Sequence, residues 1–284
     1  MMVMPRCKAA LPNLRTRLIL GVVGAFCNIP IMDRVTVILG QLADAARKVL
    51  AESRGAVPSY DNKAAAGLDP VTPVDRDIEV AIRSLILEAF PNDAVCGEEF
   101  GWTAQGARRT WSIDPIDGTR AFICGLPSWA TLVGLIEDDE HVGGLIVLPM
   151  LDETLIASGG KTRRNGVEVA TSGCVDLASA RLSTTDPYLF EGSELDLFNR
   201  LRDATLMARY GLDALAYARV ATGDIDLVIE SGLKRHDLDA LVPVVRGAGG
   251  KIGDWRGGTD WGGGRIIAAA TETLYAEAVA LLSA

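Results

Sequence analysis

One short acidic segment constrains this chain more than any other feature: residues 111–119 (WSIDPIDGT), where a loop follows an apolar, strand-like run. Asp114 and Asp117 lie three residues apart in it, and two carboxylates held this close repel each other unless a cation lies between them. Gly118 and Thr119 then offer backbone N–H groups and a hydroxyl, which suit a phosphate oxygen. The segment therefore indicates metal-assisted phosphate chemistry, although an Asx turn or a helix cap is the usual role of such a pair taken alone.

The overall composition agrees with a site for a hard cation. The 284 residues include 28 Lys and Arg, 37 Asp and Glu and only two His, for a formal charge of −9. Two His exclude a multi-His metal centre, and five Cys without a C-x-x-C spacing disfavour a disulfide framework or a Cys-rich zinc site. The abundant carboxylates suit Mg²⁺. The acidic balance argues against nucleic-acid and anionic-membrane partners.

The amino-terminal residues 1–32 differ from the rest of the chain. They contain four basic residues and no acid, so residues 33–284 hold 24 basic and 37 acidic residues, a net charge of −13. A basic start followed by a short apolar run resembles a targeting segment, but we favour a disordered extension or a translated leader. We expect a cytoplasmic protein with one domain at 33–284, divided into a metal-loop half (33–158) and an α/β half (159–284). Targeting by residues 1–32 is the alternative.

Hydrophobic periodicity predicts a mixed α/β chain with an antiparallel-rich first half and a layered second half. A turn at Glu137–Glu140 joins two predicted strands, and Thr72 followed by Pro73 and Asp75 has the pattern of a helix start. Helices are predicted at 33–54, 73–90, 194–203, 213–222, 237–247 and 272–282. Strands are predicted at 94–96, 110–113, 130–136, 142–148, 154–157, 180–184, 205–209, 225–229, 250–253 and 265–269.

Several acidic segments occur in an order that is far more specific than any one of them. They are residues 69–75 (DPVTPVD), 97–99 (GEE), 114–119 (DPIDGT) and Asp237 before an apolar helix, with a further loop at 159–166 (GGKTRRNG). Together they resemble the inositol monophosphatase family over about residues 33–284. The resemblance implies an αβαβα sugar-phosphatase fold, two to three Mg²⁺ ions per site, lithium sensitivity, a small-molecule phosphate monoester as substrate and a homodimer.

The resemblance also implies the metal ligands. Glu98, Asp114 and the carbonyl of Ile116 would hold the first ion, and Asp114, Asp117 and Asp237 would hold the second. Glu98 would also act on a third, more weakly held ion. An all-oxygen ligand set of this kind is the one that Mg²⁺ prefers.

The remaining implied roles concern water and substrate. Asp75 would pair with Thr119 to orient the attacking water, and the backbone of Gly118 and Thr119 would hold the phosphate. Glu230 falls at a position where the family contacts its substrate. Arg120 is expected either to form a structural ion pair or to contact the phosphate.

Within the family, three further segments resemble histidinol-phosphatases: residues 120–127 (RAFICGLP), 213–218 (DALAYA) and 232–243 (GLKRHDLDALVP). Histidinol carries a primary ammonium group, with which Glu230 or Asp213 can pair. Capping of the helix that follows is the alternative role of Asp213.

A Mg²⁺-dependent phosphomonoesterase acting on L-histidinol phosphate in histidine biosynthesis is the leading hypothesis. Inositol-1-phosphatase, or a broad sugar-phosphate phosphatase that includes fructose-1,6-bisphosphatase activity, is the runner-up. A nucleotide 3′-phosphatase is disfavoured because no added basic or aromatic pocket is visible. A non-catalytic regulatory protein would require a lost ligand, and all are present. The roles of Lys63 and Cys124 stay open, and His236 is expected to pack beside the metal site rather than to bind the metal.

Overall fold

Two large β-sheets and the helices that cover them organise the described part of this chain. The computed structural model describes residues 31–53, 59–63 and 70–283. The leader predicted at 1–32 therefore lies outside the described residues except for its last two positions. Among the described residues, no helix combines the length and the apolar character needed to cross a membrane.

The first sheet carries most of the acidic segments. After helix α1 (Ile31–Ser53), the short strands β1 (Asp61–Asn62) and β2 (Pro70–Val71) pair with each other, and helix α2 (Pro73–Ala89) follows. Eight more strands are β3 (Ala94–Gly97), β4 (Gly101–Trp102), β5 (Arg109–Asp117), β6 (Ala130–Glu137), β7 (Glu140–Leu148), β8 (Glu153–Ser158), β9 (Lys161–Arg164) and β10 (Val167–Glu168). They form one sheet in the order β10-β9-β8-β7-β6-β5-β3-β4, in which only β3 and β5 run parallel. The short helix α3 (Thr119–Ile123) follows β5.

The second sheet has five strands in the order β12-β11-β13-β15-β14, with parallel pairing around β11 and antiparallel pairing at β15. These strands are β11 (Arg181–Thr184), β12 (Met207–Tyr210), β13 (Leu227–Glu230), β14 (Lys251–Asp254) and β15 (Ile266–Ala269). The helices of this half are α4 (Ser193–Ala204), α5 (Ala214–Ala221), α6 (Arg235–Leu238), α7 (Leu241–Gly247) and α8 (Glu272–Ser283).

Strand alternation divides the buried side chains into three cores. On β6, Val133 belongs to the core under α1 and α2, whereas Leu132 belongs to the core that contains α5 and α7 between the two sheets. On β13, Leu227 belongs to the third core, under α4 and α8. The layers therefore run helix, sheet, helix, sheet, helix, and the predicted αβαβα fold is confirmed.

Local sequence signals located most elements well. The start of α2 at Thr72 and the hairpin at Glu137–Glu140 are confirmed, because Thr72 forms a capping box with Asp75 and the turn residues Asp138 and Asp139 have positive φ. The single helix predicted at 237–247 is wrong, since α6 and α7 are separate helices. The loop predicted at 114–117 is also wrong, because β5 continues through Asp117.

Candidate active site

The irregular end of β5 brings Asp114 and Asp117 to the same place. Side chains three residues apart in a regular strand face opposite sides of the sheet. The pairing of β5 with β6 shifts register between Asp114 and Asp117, at a position where Pro115 has no N–H for the ladder. The Pro115 carbonyl instead accepts a hydrogen bond from the Thr131 hydroxyl, 2.8 Å away. This irregularity cancels the alternation, and it allows both carboxylates to reach one site.

Asp237 reaches the same site from α6. Its Oδ2 accepts a hydrogen bond from the backbone N–H of Lys234 at 2.7 Å, which orients the carboxylate at the first turn of the helix. The end of α6 lies directly on β6 at Gly134, where an added Cβ would be 2.5 Å from the backbone of Asp239. The Asp239 carboxylate accepts hydrogen bonds from His141 and Arg235, at 2.8 and 2.9 Å. These contacts hold α6 against the sheet.

Two groups of side chains in the described part of the chain have the spacing of metal ligands. Asp114, Asp117 and Asp237 place one oxygen each within 4.8 Å of one another, and so do the ligand atoms of Glu98, Asp114 and His236. The structure thus brings together the four carboxylates that the family resemblance implies. It also places the ring of His236 beside Glu98, whereas we expected that ring to be outside the ligand set. Its role as a packing residue stays a prediction.

The electrostatics of these carboxylates fit a bound cation. Burial raises the pKa of Asp114 well above its usual value, and the negative charges of Glu98, Asp117 and Asp237 raise it further. Burial also raises the pKa of Asp117, and the negative charges of Asp213 and Asp237 raise it further. Oδ1 of Asp114 is buried, and it has no hydrogen-bond partner within the described residues. An orphaned carboxylate oxygen within an acidic, all-oxygen cluster suits a hard cation such as Mg²⁺.

Glu98 has a cationic partner in Lys63. Lys63 Nζ lies 2.7 Å from Glu98 Oε1 and 2.9 Å from Glu99 Oε1. Burial pushes the pKa of Glu98 upward, but the hydrogen bond and charge of Lys63 outweigh it and hold this pKa below its usual value. Lys63, whose role the sequence left open, therefore keeps Glu98 ionised.

The two carboxylate oxygens of Asp75 have different surroundings. Oδ2 accepts hydrogen bonds from the backbone N–H and the hydroxyl of Thr72, at 2.9 and 2.6 Å, whereas Oδ1 is buried and has no partner among the described residues. Burial raises the pKa of Asp75 to about 6, although the bonds from Thr72 oppose the rise. Thr119 Oγ1 donates to the carbonyl of Ile116 at 2.9 Å, so the pair of Asp75 with Thr119 stays a prediction.

Asp213 lies directly over Gly118, the residue that follows β5. Gly118 has φ +79°, and an added Cβ there would be 2.9 Å from Asp213 Oδ2. Asp213 stands at the start of α5 but makes no side-chain capping bond to it. Asp117 takes that role instead, because its Oδ2 accepts the N–H of Ala214 at 2.7 Å. Burial raises the pKa of Asp213 to about 6, and the charge of Arg120 counters the rise.

Glu230 is buried at the end of β13, on the Asp213 side of the site. Its Oε1 accepts hydrogen bonds from the backbone N–H and hydroxyl of Thr185, at 2.7 and 2.9 Å, and Oε2 accepts from the Thr184 hydroxyl at 3.3 Å. Burial raises its pKa to about 8, with a contribution from Asp213 that the threonine bonds oppose. The buried hydroxyl of Tyr217 has no hydrogen-bond partner in the described residues.

Sequence reasoning missed Glu79, which is fully buried on α2 four residues after Asp75. It belongs to the same helix face as the core residues Ile78 and Ile82. An acid within an apolar helical stripe was the available signal, because a buried carboxylate requires partners.

Comparisons with known proteins agree with this geometry. The sequence profile described as the inositol monophosphatase family matches residues 31–284. The bifunctional phosphatase IMPL2, chloroplastic, of Arabidopsis thaliana is 41% identical over 229 residues, which are 80% of this chain and 66% of that protein. A histidinol-phosphatase of Mycobacterium tuberculosis is 35% identical over 208 residues, 71% of this chain and 80% of that protein.

A solved structure supports the same fold and the same family. An inositol monophosphatase from Zymomonas mobilis superposes with a TM-score of 0.79 at 36% identity, and the match covers 89% of this chain and 98% of that one. The acidic cluster, the αβαβα layers and the profile match over residues 31–284 lead to one conclusion. The chain belongs to the inositol monophosphatase family of metal-dependent phosphatases, and it is a phosphoric monoester hydrolase.

Proposed function

We propose that this chain is a Mg²⁺-dependent histidinol-phosphatase, which hydrolyses L-histidinol phosphate to L-histidinol and phosphate in histidine biosynthesis. The observation that carries the proposal is the position of Asp213, whose carboxylate lies 2.9 Å from the place of a Cβ on Gly118 without capping α5. An acid beside Gly118 and Thr119, the proposed phosphate-binding loop, suits a substrate that carries an ammonium group. The resemblance to the Mycobacterium histidinol-phosphatase supports the same substrate.

The metal ligands of this proposal are Glu98, Asp114, Asp117 and Asp237, with the carbonyl of Ile116. Mg²⁺ bound there would neutralise phosphate charge and act as a Lewis acid during hydrolysis. Two to three ions per site and a homodimer stay predictions from the family resemblance.

The protein's own groups then have distinct tasks around the phosphate. The left-handed backbone at Gly118 precedes α3, so the N–H groups of Gly118 and Thr119 are available to the phosphate oxygens. Oδ1 of Asp75 has no partner in the part of the chain that the structure describes, and this oxygen would accept a proton from the attacking water. The Thr119 hydroxyl would hold that water once it turns from the Ile116 carbonyl.

Asp213 and Glu230 would select the substrate. The ammonium of histidinol phosphate would pair with Asp213, whose negative charge lies close enough to Glu230 to raise the pKa of Glu230. An ammonium group there would offset the negative charge of Asp213, whereas the hydroxyl groups of inositol would not.

The test compares kcat/KM for L-histidinol phosphate and inositol-1-phosphate at saturating Mg²⁺. We expect the first to exceed the second by at least about tenfold, roughly 1.4 kcal/mol of discrimination. Asp213→Asn should remove most of this preference by lowering kcat/KM for histidinol phosphate alone, and Asp77→Asn, at an exposed position of α2, is the matched control. Equal values for the two substrates in the wild type would favour the inositol-phosphatase alternative, which the Zymomonas structure supports.

A further inference from the structure

The carboxylate of Glu79 lies directly behind the turn that carries Glu98. Glu79 Oε2 accepts a hydrogen bond from the backbone N–H of Glu99 at 2.8 Å, and Oε1 accepts from the N–H of Phe100 at 3.2 Å. Glu79 has no exposed surface. One buried side chain of α2 thus binds two successive amides on the far side of the turn.

Gly97 makes this close approach possible. A Cβ at Gly97 would be 2.0 Å from Glu79 Oε1, so any larger residue would displace the carboxylate. On the other side of the turn, Gly97 pairs with Ile113 of β5, and the N–H of Glu98 donates to the Ile113 carbonyl at 3.0 Å. The backbone around Glu98 is therefore held by β5 before it and by Glu79 after it.

Arg83 compensates the buried charge of Glu79. Its Nε donates to Glu79 Oε1 at 2.7 Å, and its guanidinium also donates to the carbonyl of Gly101, one residue beyond the turn. Buried carboxylates need such pairing, because an unpaired buried charge strongly destabilises the fold. Glu79 and Arg83 thus form one unit that contacts residues 99–101 through three backbone groups.

We propose that Glu79 is a positioning residue for Glu98, which holds the turn so that the Glu98 carboxylate faces Asp114 before any cation binds. The inference rests on the proposed metal site. The ligand atoms of Glu98 and Asp114 already lie within 4.8 Å of each other in the described structure, although both side chains carry acid groups. When both groups are ionised, their mutual repulsion favours the opening of an unsupported turn, and the amide bonds to Glu79 oppose that opening. A preorganised ligand pair loses less conformational entropy when the cation binds.

The test measures cation binding without any substrate. Mn²⁺ binding is followed by electron paramagnetic resonance, and Mg²⁺ binding by calorimetry, on the full chain below its melting temperature. We expect Glu79→Gln, which removes one acceptor oxygen, and Glu79→Asp, which keeps the charge but shortens the reach, to weaken Mn²⁺ binding at least about tenfold. Glu88→Gln, at an exposed position of the same helix, is the matched control and should not change it.

Gly97→Ala provides an independent perturbation, because its methyl group displaces the Glu79 carboxylate without changing Glu79 itself. We expect the same loss of Mn²⁺ affinity, and no additional loss when Gly97→Ala is combined with Glu79→Ala, which leaves room for the methyl group.

The outcomes separate this inference from the proposed function. The Glu79→Gln or Gly97→Ala protein could fold and melt at a lower temperature but bind Mn²⁺ as the wild type does. That result would show that Glu79 has a merely structural role, and it would overturn the inference. If the Mn²⁺ affinity fell after Glu79→Gln but not after Glu79→Asp, the negative charge of Glu79 would explain the loss. The positioning role would then be refuted. Absence of Mn²⁺ binding by the wild type would instead refute the metal site of the proposed function.

Discussion

Replacing Glu230 with glutamine removes a buried ionisable group and keeps its shape. The glutamine oxygen can accept the bonds that Thr185 donates to Oε1, and its amide can donate to the Thr184 hydroxyl that now lies 3.3 Å from Oε2. Glu230→Gln therefore imitates the protonated glutamic acid without leaving a polar group unpaired. Any difference in stability that depends on pH then comes from the charge.

The size of this difference follows from the pKa of Glu230, which burial raises from 4.5 to about 8. The folded protein holds the proton more tightly than the unfolded chain does. The stability that Glu230 contributes is therefore fully present below pH 4.5, its pKa in the unfolded chain. It is lost as the pH rises through the pKa of Glu230 in the folded protein. The loss is about 1.4 kcal/mol per pH unit, which is about 2.5 kcal/mol between pH 5 and pH 7.

The assay is urea unfolding of both proteins in the presence of a chelator, at several pH values from 5 to 8.5. We expect Glu230→Gln to gain stability relative to the wild type as the pH rises, by about 2.5 kcal/mol from pH 5 to pH 7, and to level off above pH 8. Because the other acids titrate in both proteins, their contributions cancel in the difference. A difference that stays constant with pH would refute the claim that Glu230 is buried and protonated at neutral pH.

Two further substitutions test the metal site and the phosphate loop. Asp117→Asn removes a proposed ligand and should lower kcat by at least about a hundredfold with the fold intact. Near-normal turnover would contradict the ligand role, and Asp138→Asn, in the exposed hairpin turn, is its control. Gly118→Ala should lower both stability, by about 1–2 kcal/mol, and kcat/KM, because its φ is +79° and its Cβ meets Asp213. Gly159 has φ +61°, and no atom of the described residues lies within 4 Å of an added Cβ, so Gly159→Ala measures backbone strain alone. Equal kcat/KM losses in both glycine variants would refute a specific contact at Gly118.

Local signals predicted much of the fold. The start of α2 depends on Thr72 and Asp75, which are three residues apart, and the hairpin turn depends on residues 137–140 alone. The order of acidic segments also predicted which carboxylates converge, because it matched the family pattern. By contrast, the irregular pairing of β5 could not be predicted from residues 114–117, since it depends on the opposing strand β6.

The sequence by itself determined the family, the αβαβα layers and the acids that meet in the site. Only the tertiary structure decided how those acids are held: Lys63 keeps Glu98 ionised, Asp117 caps α5 in place of Asp213, and Glu79 supports the turn beneath Glu98. The reason is physical, because caps, turns and periodicity arise within a few neighbouring residues. Hydrogen bonds between elements 20 to 97 positions apart exist only once packing has brought those elements together.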